Sequence, residues 1–240
     1  MEAKATTGVV EWSDETKVAS YLDIADTLPR RAEAEATLIE FLPETVGRVL
    51  DLGTGDGRTL AIVLRERPGA TGVGLDMSPP MLAAARRRFA GVDAVHIGEH
   101  DLTDPLPDLG RFDLVVSSFA IHHTPHERKR ALYGEIWDAL EPGGTFLHLE
   151  HVASATPSLQ LGFLAALDMT LEDEDKSNIL LDVETQLGWL REIGFADVDC
   201  YWKWRELAVF GVRTVGDDLA FLHVLPFFHD RLLVHAGAGI

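Results

Sequence analysis

Two groups of residues in this 240-residue chain have the types and spacing to do chemistry. The first is Asp51-Leu52-Gly53-Thr54-Gly55-Asp56-Gly57, an acid followed by glycines at alternate positions. Glycines packed so closely weaken a regular element. They make sense where the backbone takes positive φ and a ligand lies against it. Such a turn belongs at the carboxyl end of a strand, with the next helix aiming its N-terminus at the ligand, and it predicts a nucleotide-like cofactor. The second group is His122-His123 together with Glu150-His151. Imidazole and carboxylate can move protons near neutral pH. The same four side chains, with Asp175, are also nitrogen and oxygen ligand types suited to zinc, iron or manganese. Their spacing matches no metal motif, and adjacent histidines on one turn often point apart, so no metal is expected. The run His122-His123-Thr124-Pro125-His126 also reads simply as the loop that starts a helix.

The elements that must position these residues follow from the apolar pattern. A strand over 48–52 runs into the glycine turn, and a helix over 59–66 follows, ended by Pro68-Gly69. A buried strand over 70–75 closes at Asp76, and Ser78-Pro79-Pro80 starts a helix over 81–89. Strands are expected over 92–97, 112–117 and 145–149, with a helix from Pro125 to Leu140 stopped by Pro142-Gly143-Gly144. This alternation predicts an α/β fold, a parallel sheet covered on both faces. Ahead of it, residues 24–42 form an amphipathic helix with Pro29 in its first turn and Pro43 closing it.

Behind the fifth strand the pattern loosens. Residues 152–183 hold a helix over 159–171 and the acidic run Glu172-Asp173-Glu174-Asp175. That is long for a simple connection and reads as a lid or small cap, with the acids either a solvated face or a selector of a cationic or polyol acceptor. A helix over 184–193 ends at Gly194. Strands over 197–204 and 207–212, separated by Arg205 and Glu206, must pair antiparallel. Trp202 and Trp204 fall on one face of the first of these, as buried packing or as an aromatic wall for an acceptor. The apolar extension 213–240 is expected to dock on a second copy of the chain, giving a homodimer, or beneath the cap. The whole reads as one domain: an N-terminal lid to about residue 43, a core over 44–212 with the cap inserted, and the extension.

Composition removes several classes. A net charge of -18 argues against nucleic acid and anionic membrane surfaces, since phosphate neutralisation needs clustered Lys and Arg. No apolar run approaches the roughly 20 residues of a membrane span. The N-terminus Met1-Glu2-Ala3-Lys4-Ala5 lacks a secretory pattern. Cys200 alone excludes an internal disulfide or a cysteine-rich metal site and reads as a small core residue. The expected compartment is the cytoplasm.

Five parallel strands with an antiparallel C-terminal hairpin, and the turn Asp51-Leu52-Gly53-Thr54-Gly55-Asp56-Gly57, resemble the class I S-adenosylmethionine-dependent methyltransferases over about 43–212. A dinucleotide turn would place its last glycine three residues after the second, whereas here Gly57 follows Gly55 by two. The resemblance implies a Rossmann-like seven-stranded mixed sheet, S-adenosyl-L-methionine as cofactor and S-adenosyl-L-homocysteine as product. It implies cofactor contacts at Asp51, Gly53, Thr54 and Gly55. It puts Asp76 on the ribose hydroxyls with Met77 against the adenine, and Asp101 with Leu102 around the adenine. It puts Ser118 and Phe119 on the methionine portion, with Tyr21 and Trp12 as closing aromatics and Arg31, backed by Arg30, as a bidentate partner for the carboxylate. Asp76 could instead cap the next helix, Asp101 could be a solvated loop residue, and the arginines could be exposed charges.

The Asn/Asp-Pro-Pro-aromatic motif of amino-group DNA and protein-glutamine enzymes is absent after the fourth strand, as is the Pro-Cys pair of cytosine C5 enzymes. A small-molecule methyl acceptor, methylated on oxygen, nitrogen or carbon, is the expectation that remains. A sulfonium is already activated, so positioning and desolvation carry the transfer and the protein adds at most a base. His123, His122, Glu150 and His151 are the candidates for that base. The other readings are a non-methyl use of the same cofactor and a non-catalytic cofactor-binding module acting through protein partners.

Overall fold

The structure is a computed structural model and describes residues 12, 14–16, 18, 19 and 28–216. Tyr21, the start of the expected lid helix, and residues 217–240 of the C-terminal extension lie outside the described residues. Seven strands form one mixed sheet: β1 (Arg48–Leu52), β2 (Thr71–Asp76), β3 (Val95–Glu99), β4 (Phe112–Ser118), β5 (Leu140–His151), β6 (Ala196–Trp204) and β7 (Leu207–Arg213). Their order is β3-β2-β1-β4-β5-β7-β6. The first five run parallel, while β7 pairs antiparallel with both β5 and β6. This is a Rossmann-like sheet with an antiparallel C-terminal hairpin, as the sequence predicts.

From residue 28 onward the described helices are α1 (Arg31–Glu40), α2 (Arg58–Glu66), α3 (Pro79–Arg88), α4 (His126–Ala139), α5 (Pro157–Ala166) and α6 (Val183–Ile193), with a 3-10 turn at Ile121–His123. One face of the sheet packs on Ala34 and Leu38 of α1 and Leu60 and Val63 of α2. The other packs on Leu132, Tyr133 and Ile136 of α4 and on Leu187 and Leu190 of α6. Both sides of β4 are therefore apolar, and Leu114, Val115 and Val116 are all buried.

Four boundaries differ from expectation for local reasons. Helix α1 starts at Arg31, because Arg30 takes a left-handed φ of 66° and residues 28–31 close a turn (Arg31 N to Leu28 O, 3.2 Å). Helix α5 stops at Ala166 rather than 171. Asp168 is left-handed at φ 55°, and the N–H groups of Met169 and Asp168 return to Leu164 O and Ala165 O at 2.9 and 3.3 Å, a Schellman ending. Strand β3 begins at Val95, since the residues before it fold back on Phe89 through Val92 N (3.0 Å). The glycines at 143–144 do not separate α4 from a strand. Strand β5 already begins at Leu140 opposite Phe112 and resumes register at Thr145 opposite Leu114. Gly143, at φ 80°, supplies the irregularity between the two pairings.

Candidate active site

At the carboxyl ends of β1, β2 and β4 a cavity of about 1200 Å³ opens against the glycine turn. Gly53, Gly55 and Gly57 have φ of 67°, 57° and 82°, so all three use the left-handed freedom that the spacing implies. A Cβ on Gly53 would lie 2.1 Å from Ala120 Cβ, whereas one on Gly55 would meet only Met81 Sδ, at 3.9 Å. The backbone at Gly55 is thus bared toward the cavity, a cradle that a side chain would fill. The Asp51 side chain is fully buried beneath the turn. Thr54 Oγ1 donates to its Oδ2 at 2.8 Å, and Oδ1 has no hydrogen-bond partner among the described residues. Burial pushes the Asp51 carboxyl up to about 7, against the Thr54 hydrogen bond.

The next two strands complete one side of the cavity. Asp76, at the end of β2, accepts the Gly55 N–H on Oδ2 and the Ser78 N–H on Oδ1, both at 2.8 Å. It does not cap α3. Ser78 holds that position and accepts the Met81 N–H at 3.4 Å. Two backbone donors lock the Asp76 carboxylate and leave lone pairs for further donors. Met77, Asp101 and Leu102 line the same side, as does His100, whose Nε2 is buried without a hydrogen-bond partner among the described residues.

Arg31 reaches the cavity from α1. It is 7% exposed, its Nε donates to Glu35 Oε1 at 2.8 Å, and its guanidinium carbon lies 5.7 Å from the centre of the Phe119 ring. Glu35 is shared with Arg58 at 2.7 and 3.1 Å, and although burial opposes it, the two arginines hold its carboxyl below the usual range. Arg30 does not back this position: it is exposed and pairs with Glu33 at 2.6 Å. Ser118 and Phe119 line the cavity, with Phe119 held at φ 52°, and Trp12 reaches it through its carbonyl, which accepts the Ser78 hydroxyl at 2.5 Å.

The four histidine and acid candidates divide here. His123 lines the cavity, edge-to-face with Trp12 at 5.5 Å between ring centres. Its Nδ1 lies 3.0 Å from Ser177 Oγ, which donates to Asp175 Oδ1 at 2.7 Å. Burial first, and the neighbouring His122 second, push its pKa down to about 3, so the ring is neutral near pH 7. His122, Glu150 and His151 are not part of the cavity wall. His122 Nδ1 is 2.6 Å from Glu150 Oε1, which also accepts the His151 N–H at 2.9 Å. Burial disfavours the Glu150 carboxylate, but His148 and His122 outweigh it and hold its carboxyl well below the ordinary value. His148 Nε2 lies 2.9 Å from Oε2. His151 turns away to Glu206 at 3.0 Å. The three sit behind His123 as a buried polar layer. Among the described residues no group of three or more His, Cys, Asp or Glu side chains is placed to hold a metal ion; His122 and Glu150 face each other, while His123 turns to Ser177 and His151 to Glu206.

Sequence reasoning missed the parts of the site that only the fold brings together. Lys129, fully buried in α4, donates to His122 O (3.2 Å), Thr124 O and Ile179 O (both 2.7 Å), tying the histidine turn to residues 176–179 that line the cavity. Ser177 lies in an aperiodic stretch that carries no local signal, whereas His100, next to Asp101, could have been found by reading one residue back. The acidic run is not a uniform solvated face, because three of its four acids have partners within the fold. Asp173 caps Thr170 at 2.8 Å, Glu174 takes Gln160 at 3.2 Å, and Asp175 takes Ser177. Trp202 and Trp204 are half-buried and do not line the cavity. Trp204 packs edge-to-face on Phe163 of α5 at 6.0 Å. Cys200 is half-buried against the core.

Known proteins resemble this chain in both sequence and shape. A family model described as a methyltransferase domain matches residues 49–144. A demethylmenaquinone methyltransferase of Clavibacter sepedonicus is 32% identical over 179 residues, covering 68% of this chain and 71% of that protein. One of the same name from Thermus thermophilus is 43% identical over 106 residues, covering 43% of this chain. The chain spans about half the length of that relative, 46%. Among solved structures, an O-methyltransferase family protein of Burkholderia thailandensis superposes with a TM-score of 0.69 at 21% identity, covering 91% of this chain and 65% of that one. Human N-acetylserotonin methyltransferase in complex with SAM gives 0.64 at 18% identity, covering 89% of this chain and 59% of that one.

Proposed function

The chain belongs to the class I S-adenosylmethionine-dependent methyltransferase family, and on that premise we propose that it methylates a small molecule bearing an acidic hydroxyl, on that oxygen or on the ring carbon conjugated to it. The observation that carries this reading is His123 in the cavity wall, with Nδ1 engaged by the Ser177 hydroxyl at 3.0 Å. The cofactor is S-adenosylmethionine. The bared backbone at Gly55, the doubly held Asp76 carboxylate and the unpartnered buried Asp51 Oδ1 fit a cationic nucleoside. Asp51, Gly53, Thr54, Gly55, Asp76, Met77, Asp101 and Leu102 would hold it, with Ser118, Phe119 and Arg31 at its amino-acid end. When bound, it supplies a methyl group on a sulfonium, ready for in-line displacement.

The chain's own residues supply orientation, dryness and a proton acceptor. Residues 176–179, Trp12 and Phe119 line the cavity together with His123, and around a bound acceptor they would keep water from the reacting atoms. His123 would accept the proton of the acceptor hydroxyl on Nε2 as that oxygen, or the carbon conjugated to it, is methylated. A phenol or enol suits an imidazole base better than an alkyl alcohol does, because its proton is the easier to remove. The two demethylmenaquinone methyltransferases among its relatives carry a small acceptor in their names, which supports a small-molecule acceptor here. So does the absence from the sequence of the nucleic-acid and glutamine signatures.

The test is turnover with radiolabelled cofactor against phenols, naphthols, quinols and a metabolite extract. S-adenosylhomocysteine should exceed one equivalent with at least one hydroxyarene or enol. His123→Gln should then lower kcat by about 100-fold or more with cofactor affinity unchanged. Product confined to one equivalent across every acceptor would overturn the reading in favour of a binding module.

A further inference from the structure

His123 and the side chain that grips it come from different parts of the chain. His123 ends the turn after β4, and Ser177 lies between α5 and α6. Ser177 Oγ stands 3.0 Å from His123 Nδ1 and 2.7 Å from Asp175 Oδ1, and the Ser177 backbone N–H reaches that same carboxylate oxygen at 2.9 Å. A hydroxyl has one proton to give. A carboxylate accepts it about twice as strongly as a neutral acceptor does, so the hydroxyl donates to Asp175 and its oxygen must receive a proton from the imidazole. The nitrogen of a histidine that carries the proton is set by the partner of the other nitrogen.

We infer that Ser177 and Asp175 are positioning residues that fix His123 as its Nδ1–H tautomer and so keep the Nε2 lone pair available as the proton acceptor. The inference deepens the base reading given above and rests on it for its catalytic meaning. Free histidine prefers the opposite tautomer, with the proton on Nε2, which would turn the ring into a donor and block the step. The segment that carries Asp175 and Ser177 runs into residues 176–179 of the cavity wall, and Lys129 holds Ile179 to the histidine turn. The base is therefore set only while this segment is seated. A serine bridge also tolerates small shifts of the segment that a direct carboxylate contact would not.

The tautomer can be read without knowing the acceptor. The full chain, loaded with S-adenosylhomocysteine and carrying nitrogen-15 in its imidazoles, is examined by long-range proton–nitrogen NMR between pH 6 and 8. Comparison with His123→Gln identifies the His123 signals. The wild type should show a protonated Nδ1 and a bare Nε2 throughout. Ser177→Ala should shift the population to Nε2–H, Ser177→Thr should restore the wild-type pattern, and Asp175→Asn should give a mixture. A wild-type proton on Nε2, or a Ser177→Ala variant with the tautomer unchanged, would overturn the inference. If Ser177→Ala does not fold, the wild-type tautomer and the Asp175→Asn mixture decide it. On an acceptor that turns over, Ser177→Ala should lower kcat about tenfold or more at constant cofactor affinity, and Ser177→Thr should recover most of it. A confirmed Nδ1–H tautomer with full turnover in His123→Gln would instead remove the base reading and leave the positioning intact.

Discussion

A single buried carboxyl shows how far one residue can tune this site. Asp51 is fully enclosed, and its carboxyl sits up to about 7 because burial penalises the anion. In the unfolded chain it titrates near ~3.9. Between those values the folded protein holds a proton that the unfolded chain has lost, so this group lowers the stability of the ligand-free protein as pH rises from about 4 to 7. A cation bound beside Asp51 has the reverse effect, since it favours the ionised form. The affinity for S-adenosylmethionine should therefore increase by up to roughly tenfold between pH 6 and 8, as measured by calorimetry. Asp51→Asn should flatten most of that slope. What remains belongs to Asp76, whose carboxyl is also raised, chiefly by burial. An affinity that is already independent of pH in the wild type would contradict this account of Asp51.

At the level of elements, the turn after β1 and the tie under the histidine turn are the parts most exposed to substitution. Gly53→Ala puts a methyl group 2.1 Å from Ala120 Cβ at a φ of 67°, so the turn or the loop after β4 has to move. A loss of about 1–3 kcal/mol and of cofactor binding is expected, from denaturant midpoints and calorimetry on the same preparation. Lys129→Met removes the donor to Thr124 O and Ile179 O, while His122 O keeps the Ile179 N–H at 2.9 Å. Stranding two buried carbonyls costs about 2–4 kcal/mol. Turnover should drop alongside stability because residues 176–179 lose their anchor, and a variant as stable as wild type would show that the tie is not needed. The same division explains what the sequence made legible. The glycine turn, Asp76 and Asp101 are local signals, each read from its place at a strand end. The alternating strands and the antiparallel hairpin follow from periodicity and a two-residue connection. The Schellman ending of α5 at Asp168 and the broken register at Gly143 depend on backbone angles that Leu or Gly types alone do not dictate. The Ser177–His123 contact is tertiary, with no spacing to announce it.

Over the whole molecule, the cofactor cavity joins elements from both halves of the sheet, so occupancy should stabilise the fold as a unit. At S-adenosylmethionine concentrations 100-fold above its Kd the gain is about 2.7 kcal/mol. For a chain of this size that raises Tm by roughly 5–10 °C, measurable by calorimetry. A shift absent at saturating cofactor would mean that binding does not require the folded cavity. The net charge of -18 adds a background of self-repulsion, which salt should relieve. The sheet order has a consequence for biosynthesis. Strand β7 fills the gap between β5 and β6, so the hydrogen-bonding edge of β5 stays bare on the ribosome until residues 207–213 emerge. Strand β6 is made first, but among the described residues its partner in the finished sheet is β7 and not β5. During that interval the nascent chain offers an apolar strand edge, β5 around Phe146-Leu147-His148-Leu149, to any neighbouring chain or chaperone. The last strand added to the sheet is thus the one that protects the protein from its own half-made copies.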